Sequence, residues 1–253
     1  MKRVLVTAGA SGIGRPLARA FVERGDRVAI CDADAEAVRA LGDTDAAIRA
    51  ACVDVTDADA MDAFLAALER DWGGVDVVCA NAGTGGPAGL IETLDVADWR
   101  ACVDVNLTGT FLTCRWAARV MRAQGAGLIV ITSSTAGLAG YPMRSPYASA
   151  KWALVGLTKT LAMELGPAGV RVNAIAPGAV EGDRMDRVVA MEAAASGEDE
   201  ATVRARYVDG VSLRSWVTQS DIARTVLWLA SDGAAKISGQ VIAIDGHTET
   251  LAP

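Results

Sequence analysis

The chain has 253 residues, a formal net charge of −7 and one histidine, His247. A single histidine near the C-terminus excludes a Ser-His-Asp triad in mid-chain and a histidine-rich metal site. The acidic balance argues against nucleic acid as a partner, and the five cysteines show no CxxC spacing that would indicate a zinc site or a disulfide framework.

Neither a secretion signal nor a membrane span is apparent. The first apolar run, Val4-Leu5-Val6, is too short for the core of a signal peptide, and no charge-free apolar stretch reaches membrane-spanning length. We therefore expect a cytoplasmic protein without a membrane partner. The apolar fraction of 51% with only 5% aromatic residues suits aliphatic parallel strands covered by helices.

Short β-branched runs alternate with segments of helical periodicity. Strands are predicted at Arg3–Thr7, Arg27–Cys31, Arg49–Val53, Val75–Ala80, Gly127–Ser133, Val170–Ala176 and Gln240–Ile244. Helices are predicted at Pro16–Arg24, Asp57–Trp72, Val96–Ala123, Pro146–Leu165 and Gln219–Ser231. Strands separated by helix-length spacers predict a doubly wound, seven-stranded parallel sheet in one α/β domain over residues 1–253.

Residues 180–215 depart from this alternation because they are rich in charge and lack a clear strand pattern. We predict a substrate-loop insertion here, either a mobile helical insertion or a lid. A solvated surface excursion explains the same composition equally well.

A glycine-rich turn, residues 7–14, connects the first strand to the first helix. Glycines let the backbone approach a pyrophosphate, and the helix N-terminus offers free N–H groups to it. Because a strand precedes the turn and a helix follows it, we predict a Rossmann-type dinucleotide site. The expected contacts are Gly9, Ser11, Gly12, Ile13 and Gly14.

Asp32 ends the next strand, 18 residues beyond Gly14. The acid that binds the adenosine ribose is expected roughly 20 residues after the glycine turn. A carboxylate accepts both ribose hydroxyls and repels a 2′-phosphate, and neither Arg nor Lys follows at residues 33–35. The pattern predicts NAD rather than NADP as the cofactor, with an ordinary turn or cap role for Asp32 as the alternative.

Tyr147 and Lys151 are four residues apart in a predicted helix, so their side chains share one face. A free phenol titrates near pH 10, about three units above neutrality, and a nearby ammonium stabilises its phenolate. The pair can therefore perform general acid/base chemistry without histidine. Alone, this spacing is also compatible with a core tyrosine and a solvated lysine.

Together these motifs resemble the short-chain dehydrogenase/reductase family over nearly the whole chain. Ser134 stands 13 residues before Tyr147, as in that family. The other matching pieces are Asp54-Val55, Asn81-Ala82-Gly83, Asn106 in Val105-Asn106-Leu107, Ser133-Ser134 and Pro177-Gly178. The resemblance implies a catalytic set of Asn106, Ser134, Tyr147 and Lys151, and no metal.

The resemblance also implies a role for each member of this set. Tyr147 would exchange a proton with the substrate oxygen, and Ser134 would hydrogen-bond to that oxygen. Lys151 would assist Tyr147 and bind the nicotinamide ribose, while Asn106 would hold a water that links Lys151 to solvent. Further cofactor contacts implied by the family are Asp54, Val55, Asn81, Ala82, Gly83, Tyr147, Lys151, Pro177, Gly178 and Val180.

Three positions depart from the family pattern. Ala8 occupies the family's first glycine, so we expect the tight turn to have moved by one residue to Gly9. Gly182 stands where the family often has a threonine that binds the nicotinamide carboxamide, so that contact is expected to be lost or supplied elsewhere. His247 replaces the last glycine of the usual Asp-Gly-Gly and is expected at the surface or at a subunit contact.

Substrate contacts are expected from Thr84, Thr135 and Arg144. Arg144 lies three residues before Tyr147 and could bind a substrate carboxylate through paired N–H donors, and Arg184 and Arg187 could do so from the insertion. All three could equally be surface charges.

The resemblance implies a homotetramer. Trp116 and Trp152 lie on the two long helices that pack subunits together in the family, although a core position for either is the alternative. The predicted function is an NAD-dependent oxidoreductase that interconverts a small secondary alcohol, such as a hydroxy acid or polyol, and its ketone, with Tyr147 as general acid/base. The alternatives are a non-catalytic NAD(H)-binding redox-sensing regulator and, with less support, a methyltransferase on a similar sheet.

Overall fold

The computed structural model describes residues 1–45 and 47–248, apart from the side chains of residues 43, 183, 184, 191, 192, 195 and 196. In this part of the chain, one parallel sheet has the strand order β3-β2-β1-β4-β5-β6-β7. The strands are β1 (Arg3–Thr7), β2 (Arg27–Asp32), β3 (Ile48–Cys52), β4 (Val77–Ala80), β5 (Gly127–Thr132), β6 (Val170–Pro177) and β7 (Val241–Ile244).

Helices connect and cover the strands. They are α1 (Gly14–Glu23), α2 (Ala35–Thr44), α3 (Ala58–Trp72), α4 (Val96–Val103), α5 (Gly109–Gln124), α6 (Ser145–Leu165), α7 (Asp183–Ser196), α8 (Glu200–Asp209) and α9 (Gln219–Leu229). None of the helices in the described residues combines the length and apolar character needed to cross a membrane.

Apolar side chains form two cores, one on each face of the sheet. Leu17 of α1 belongs to one core, together with residues of α2 and α9, and Leu154 of α6 belongs to the other, together with residues of α3 and α5. Successive residues of β1 alternate between them, because Leu5 packs in the second core while Val4 and Val6 pack in the first. The sheet is thus buried on both faces, as a doubly wound parallel sheet requires.

The strand order reverses between β1 and β4, which are neighbours in the middle of the sheet. In open α/β sheets, ligands bind outside the carboxyl ends of the strands at such a reversal. The fold therefore places the ends of β1, β4, β5 and β6 around one candidate site.

The predicted strands are confirmed to within two residues at each end, and the predicted doubly wound parallel sheet is confirmed. One helix differs from its prediction. The segment predicted as a continuous helix from Val96 to Ala123 is α4 and α5 joined by a π-helical turn, Asp104–Thr108. Residues 180–215, for which a helical insertion or a lid is predicted, contain the helices α7 and α8.

The two tryptophans considered for a subunit interface lie in different environments. Trp116 is only 5% exposed, packs in a core and donates from Nε1 to the Glu69 carboxylate at 3.0 Å. Trp152 is 48% exposed and donates to the Ala139 carbonyl at 3.3 Å. The structure thus assigns Trp116 to the core and leaves Trp152 on the surface of this chain.

Candidate active site

A cleft of about 880 Å³ opens at the carboxyl ends of the strands. We call the part lined by Ala8, residues 10–13, Arg15, Pro16, Asp34 and Ala37 the turn half. We call the part lined by Tyr141, Arg144 and the segment 180–215 (the insertion) the insertion half. Ser134, Tyr147 and Lys151 also line the cleft.

In the glycine turn, the left-handed conformation occurs at Ala8, with φ of 49°, and not at Gly9. The expectation that the tight turn has moved by one residue is therefore wrong. Gly9 is needed for space instead, because a Cβ there would lie 2.5 Å from the side chain of Ile30. Gly14 is equally restricted, since its Cβ would lie 1.9 Å from the Ala8 carbonyl oxygen. Ala8 thus adopts the left-handed conformation of this turn at the expense of a strained φ.

Helix α1 begins at this turn without a side-chain cap. By contrast, Asp34 caps α2, Asp57 caps α3 and Thr218 caps α9 through bonds to backbone N–H groups. In α1 the Arg15 N–H donates to the Ser11 carbonyl at 3.2 Å and Pro16 has no N–H, so the Gly14 N–H is the helical donor left for a ligand at this end, and a helix N-terminus favours an anion. At Gly12, φ is 50° and nothing lies within 4 Å of where a Cβ would be, so the backbone faces open space here. The turn fits a dinucleotide pyrophosphate.

Asp32 is buried at the end of β2. Its Oδ2 accepts a hydrogen bond from the Ala10 N–H at 3.1 Å, and its Oδ1 accepts from the Asp34 N–H at 3.2 Å. The carboxylate is thus tied to the glycine turn and to the start of α2 at the same time. Each oxygen keeps a further lone pair, so the group can still accept hydroxyl donors.

Tyr147 and Lys151 lie on the first turns of α6, and the Lys151 Nζ is 5.6 Å from the centre of the Tyr147 ring. Lys151 is 3% exposed and donates to the Thr132 carbonyl at 2.9 Å. Ser134 follows β5, and its Oγ accepts the Ala136 N–H at 3.2 Å, which leaves the hydroxyl proton free to donate elsewhere. The structure therefore brings three of the four predicted catalytic residues to one cleft.

Asn106, the fourth, lies in the π-helical turn and is fully buried behind the cleft lining. Its Nδ2 donates to the Cys102 carbonyl at 2.8 Å and to the Thr84 carbonyl at 2.9 Å, which fixes the orientation of the amide. Its Oδ1 has no hydrogen-bond partner in the described residues. π-Helical turns often occur at functional sites, and here the turn aims an unpaired acceptor toward the site.

Gly83 shows where this acceptor points. A Cβ at Gly83 would lie 2.8 Å from the Asn106 Oδ1 and 3.2 Å from the Lys151 Nζ, so both atoms flank the same glycine. A buried acceptor beside an ammonium is a site that an ordered water can satisfy. Burial raises the pKa of the neighbouring Cys102 thiol, so this contact of Asn106 stays uncharged.

The residues predicted to bind the cofactor fall into two groups. Those that line the cleft are Ser11, Gly12, Ile13, Asn81, Gly83, Tyr147, Lys151, Pro177, Gly178 and Val180. The others lie outside its lining: Gly9, Gly14, Asp32, Asp54, Val55 and Ala82. Of these, Asp54 is exposed and accepts from the Thr56 backbone and hydroxyl, both at 2.8 Å.

Asn81 connects three strand ends. Its backbone N–H donates to the Thr7 hydroxyl at 2.9 Å, its Nδ2 donates to the Thr7 carbonyl at 3.2 Å, and its Oδ1 accepts from the Thr132 hydroxyl at 3.2 Å. These bonds join the ends of β1, β4 and β5 beneath the cleft. The floor of the site is therefore held rigidly before any ligand binds.

Gly182 begins α7 with φ of 139°, a conformation that a side chain rarely adopts. A Cβ there would also lie 3.0 Å from the Gln219 Nε2. A threonine at this position would therefore be strained in this conformation.

The three predicted substrate residues differ in position. Thr135 is buried and lines the cleft. Arg144 also lines it and donates from Nη2 to the Gly85 carbonyl at 3.1 Å. Thr84 lies outside the lining, and its carbonyl holds Asn106. Arg187 lines the insertion half, whereas the Arg184 side chain is outside the described residues.

The insertion has a small core of its own, formed by Val189, Ala193 and Val203. Its two ends are paired, since Val180 and Val217 form a parallel bridge. Sequence reasoning named none of the cleft-lining residues Met185, Val188, Tyr207 and Val211, because no motif marks them. His247 is exposed and lies beside the end of the insertion, where its Nδ1 is 2.6 Å from the Ser212 Oγ.

Comparison with known proteins identifies this arrangement. A family model described as enoyl-(acyl carrier protein) reductase matches residues 7–247. The chain belongs to the short-chain dehydrogenase/reductase family. It is 38% identical over 248 residues to a cis-4-hydroxycyclohexanecarboxylate dehydrogenase of Sinomonas cyclohexanicum, which covers 96% of this chain and 94% of the relative.

Solved structures of short-chain dehydrogenases/reductases share the fold. An NAD⁺-bound xylitol dehydrogenase superposes with a TM-score of 0.90 at 29% identity, over 97% of this chain and 98% of the other. An actinorhodin polyketide ketoreductase with NADPH gives a TM-score of 0.92 at 30% identity, over 98% and 97%. Membership of this family makes the chain an oxidoreductase with a nicotinamide cofactor, and its neighbours include proteins bound to either NAD⁺ or NADPH.

Proposed function

We propose that this chain is an NAD-dependent dehydrogenase that interconverts a small secondary alcohol and its ketone, with Tyr147 as general acid/base. The observation that carries the proposal is that Ser134, Tyr147 and Lys151 line the same cleft as the uncapped N-terminus of α1. A proton-transfer group and a pyrophosphate cradle are thus built into one site.

The chemistry of the site follows from these groups. When bound, the nicotinamide would accept or supply the hydride. Tyr147 takes the proton from the alcohol oxygen as the carbonyl forms, and returns it in the reverse direction. Ser134 donates a hydrogen bond from its hydroxyl group to the same oxygen and so orients the substrate. Lys151, held by the Thr132 carbonyl, places a positive charge beside the phenol.

Asn106 completes the path for the proton. Its unpaired Oδ1 and the Lys151 Nζ flank Gly83, so a water between them would connect the buried ammonium to solvent. Because two carbonyls accept from the Asn106 Nδ2, the amide is oriented so that its Oδ1 can hold this water. Its role is positioning.

Asp32 supports the choice of NAD. A buried carboxylate at the end of β2 would accept the ribose hydroxyls and would repel a 2′-phosphate. Its bonds to Ala10 and Asp34 hold it in place, so the charge cannot turn away from a phosphate without breaking them.

The substrate class follows from the cleft and from the relatives. The relative from Sinomonas cyclohexanicum is named for a hydroxy acid, and the NAD⁺-bound structural neighbour is named for a polyol. We assign a secondary alcohol of this size range to the present chain. Residues 180–215 act as the substrate-loop insertion, because they supply much of the insertion half and are joined to the fold at paired ends.

We also propose a homotetramer. Exposed apolar side chains on α5 and α6, Phe111 and Trp152, support burial against another subunit. Sedimentation at micromolar concentration should give a tetramer. A monomer in that experiment would contradict the proposed tetramer. It would not bear on the proposed activity, which is tested separately.

The activity is tested with a panel of secondary alcohols, hydroxy acids and polyols, each with NAD and with NADP, by the absorbance of the reduced cofactor. We expect turnover with NAD, and a loss of kcat of at least about 100-fold in Tyr147→Phe. Binding of NADH, followed by its fluorescence, should survive the substitution. The matched variant Tyr141→Phe removes a phenol hydroxyl from the same cleft and should lose much less activity.

The same experiment separates the alternative of a redox-sensing regulator. A regulator would bind NADH tightly, would turn over no alcohol in the panel, and would respond to Tyr147→Phe no more than to Tyr141→Phe. A preference for NADP would overturn the role given to Asp32.

A further inference from the structure

The insertion half contains three arginine side chains that differ in how their charges are balanced. Arg206 pairs with the Glu198 carboxylate. Arg187 is exposed to water at the rim of the cleft. Arg144 is partly buried, and no carboxylate in the described part of the chain lies within ion-pair distance of it. Of the three, Arg144 has the charge that is neither paired nor fully hydrated.

The guanidinium of Arg144 also has an unused donor. Nη2 donates to the Gly85 carbonyl at 3.1 Å, but Nε is buried and has no acceptor. A buried N–H without an acceptor and a cation without a counter-ion are both unfavourable. Because Nε is enclosed by the protein, an anion in the cleft would balance the charge through the Nη atoms, and Arg matches the two oxygens of a carboxylate through paired donors.

Arg144 is held at a defined place relative to the reacting phenol. Its guanidinium carbon is 5.8 Å from the centre of the Tyr141 ring and 5.9 Å from the centre of the Tyr147 ring. Two rings and the Gly85 carbonyl therefore restrict the side chain, which begins three residues before Tyr147 in sequence. A substrate carboxylate bound by Arg144 would therefore lie close to Tyr147, which exchanges a proton with the alcohol oxygen of the same substrate molecule.

The insertion gives the cleft both charged and apolar lining residues, and the charged ones are Glu181, Arg187 and Arg206. The insertion contributes Met185, Val188 and Val211 to the lining, together with the ring of Tyr207. Tyr207 packs on Trp216 with ring centres 5.9 Å apart, so this wall is supported from behind. An apolar substrate body fits the apolar residues of this wall, whereas a polyol would lose water from several hydroxyls against them.

We propose that Arg144 is a specificity-determining residue that binds a carboxylate of the substrate. The preferred substrate is then a secondary alcohol with an apolar body and a carboxylate, and polyols are poor substrates. A carboxylate suits the site better than a phosphate ester, because one guanidinium balances a single negative charge while a phosphate ester carries about −1.5 to −2. This inference rests on the proposed function and narrows its substrate class.

The first test compares hydroxy acids with their primary amides, which have nearly the same shape and no charge. For the wild-type enzyme with NAD, we expect kcat/KM to be about 10- to 100-fold higher for the acid of each pair, which is the range for a lost charge-assisted hydrogen bond. Equal values for acid and amide would overturn the inference while leaving the dehydrogenase activity in place. No turnover of any alcohol would instead refute the proposed function.

The second test uses variants of Arg144 and Arg187, the two arginines of the insertion half that form no ion pair within the described residues. Arg144→Gln should raise KM for the acids by about 10- to 100-fold and change KM for the amides by less than about threefold. Arg144→Lys, which keeps the charge but loses the paired donors, should recover part of the preference. If Arg187→Gln removes the preference and Arg144→Gln does not, the anion is bound by the insertion and the assignment to Arg144 is wrong.

A binding measurement separates specificity from a purely structural role of Arg144. In the presence of NADH, benzoate should raise the unfolding temperature of the wild-type protein, and benzamide should not. Arg144→Gln should abolish the benzoate effect while keeping NADH-dependent stabilisation. A variant that loses activity equally toward acids and amides, with a lowered unfolding temperature, would show that Arg144 only fastens the segment around Gly85.

Discussion

The turn half of the cleft is lined mainly by small residues, whereas the insertion half is lined mainly by residues with larger side chains. In the turn half, residues 8–13 connect β1 to α1, and the Asp32 carboxylate is fixed by two backbone N–H groups. In the insertion half, the lining comes from side chains of Met185, Tyr207 and their neighbours on α7 and α8. Backbone contacts recognise what all dinucleotides share, and side chains can vary with the substrate.

The two halves also differ in how they are anchored. The turn continues from a central strand whose end is joined to its neighbours by Asn81. The insertion rests on its own small core, on paired ends at Val180 and Val217, and on contacts of Arg204. Few buried contacts and exposed ion pairs give low local stability, so we expect the insertion to open and close while the turn stays fixed.

The comparison is tested most strongly by Asp32→Asn. The amide keeps an acceptor for the Ala10 N–H but removes the charge, so the ratio of kcat/KM for NAD to that for NADP should fall by about 10-fold or more. The KM for the alcohol should stay unchanged. Asp57→Asn is the control, since Asp57 caps α3 outside the cleft lining and asparagine caps a helix as well as aspartate, and it should leave the cofactor ratio within about threefold.

A smaller effect is expected from Arg204→Met in the insertion. Arg204 pairs with Asp186 at 2.6 Å, lies 3.8 Å from the Glu181 carboxylate and covers the Trp216 ring at 4.7 Å, so it joins α8 to α7 and to both ends of the insertion. Its loss should raise KM for the alcohol by about threefold to tenfold. Limited proteolysis should become faster within residues 183–209.

The control for that variant is Arg115→Met. It breaks an exposed ion pair with Asp62 at 2.8 Å, between α5 and α3 and away from the cleft. Arg115→Met should change neither the KM for NAD nor the KM for the alcohol. If Arg204→Met raised KM for NAD as much as KM for the alcohol, the separation between the two halves would be wrong.

The smallest effect is a change in stability from Ala8→Gly. Ala8 has φ of 49°, where glycine is unstrained, so the substitution should increase the free energy of unfolding by about 0.5–1 kcal/mol. Gly12→Ala in the same turn should lower the free energy of unfolding, because φ is 50° at this position and the added Cβ gains no contact. Urea denaturation of the cofactor-free protein measures both. If the free energy of unfolding of Ala8→Gly equals that of the wild type, the turn relaxes around alanine and stores no strain.

Features that depend on neighbouring residues in the chain could be predicted from sequence. The strand-turn-helix context of the glycines, the distance from Gly14 to Asp32 and the four-residue spacing of Tyr147 and Lys151 follow from local geometry alone. The structure places Tyr147 and Lys151 together at the cleft, and it places Asp32 at the end of β2.

Features that depend on long-range contacts could not be predicted from the sequence. The π-helical turn at Asn106 has a helical sequence, and what distinguishes it is a bond to the Thr84 carbonyl, 22 residues away. Trp116 and Trp152 are both tryptophans on long helices, and only packing shows that one is in the core. The unpaired Nε of Arg144 is likewise visible only once its surroundings are known.

By itself, the sequence determined the fold class and the family, because strand and helix periods, glycine spacing and the Tyr-Lys pair are properties of short segments. Only the tertiary structure decided which residues share the cleft and which donors and acceptors remain unpaired there. It showed that the left-handed residue of the turn is Ala8 and not Gly9, and that the Thr84 carbonyl accepts a hydrogen bond from Asn106. The physical reason is that an unpaired group is defined by everything around it, and those surroundings come from distant parts of the chain.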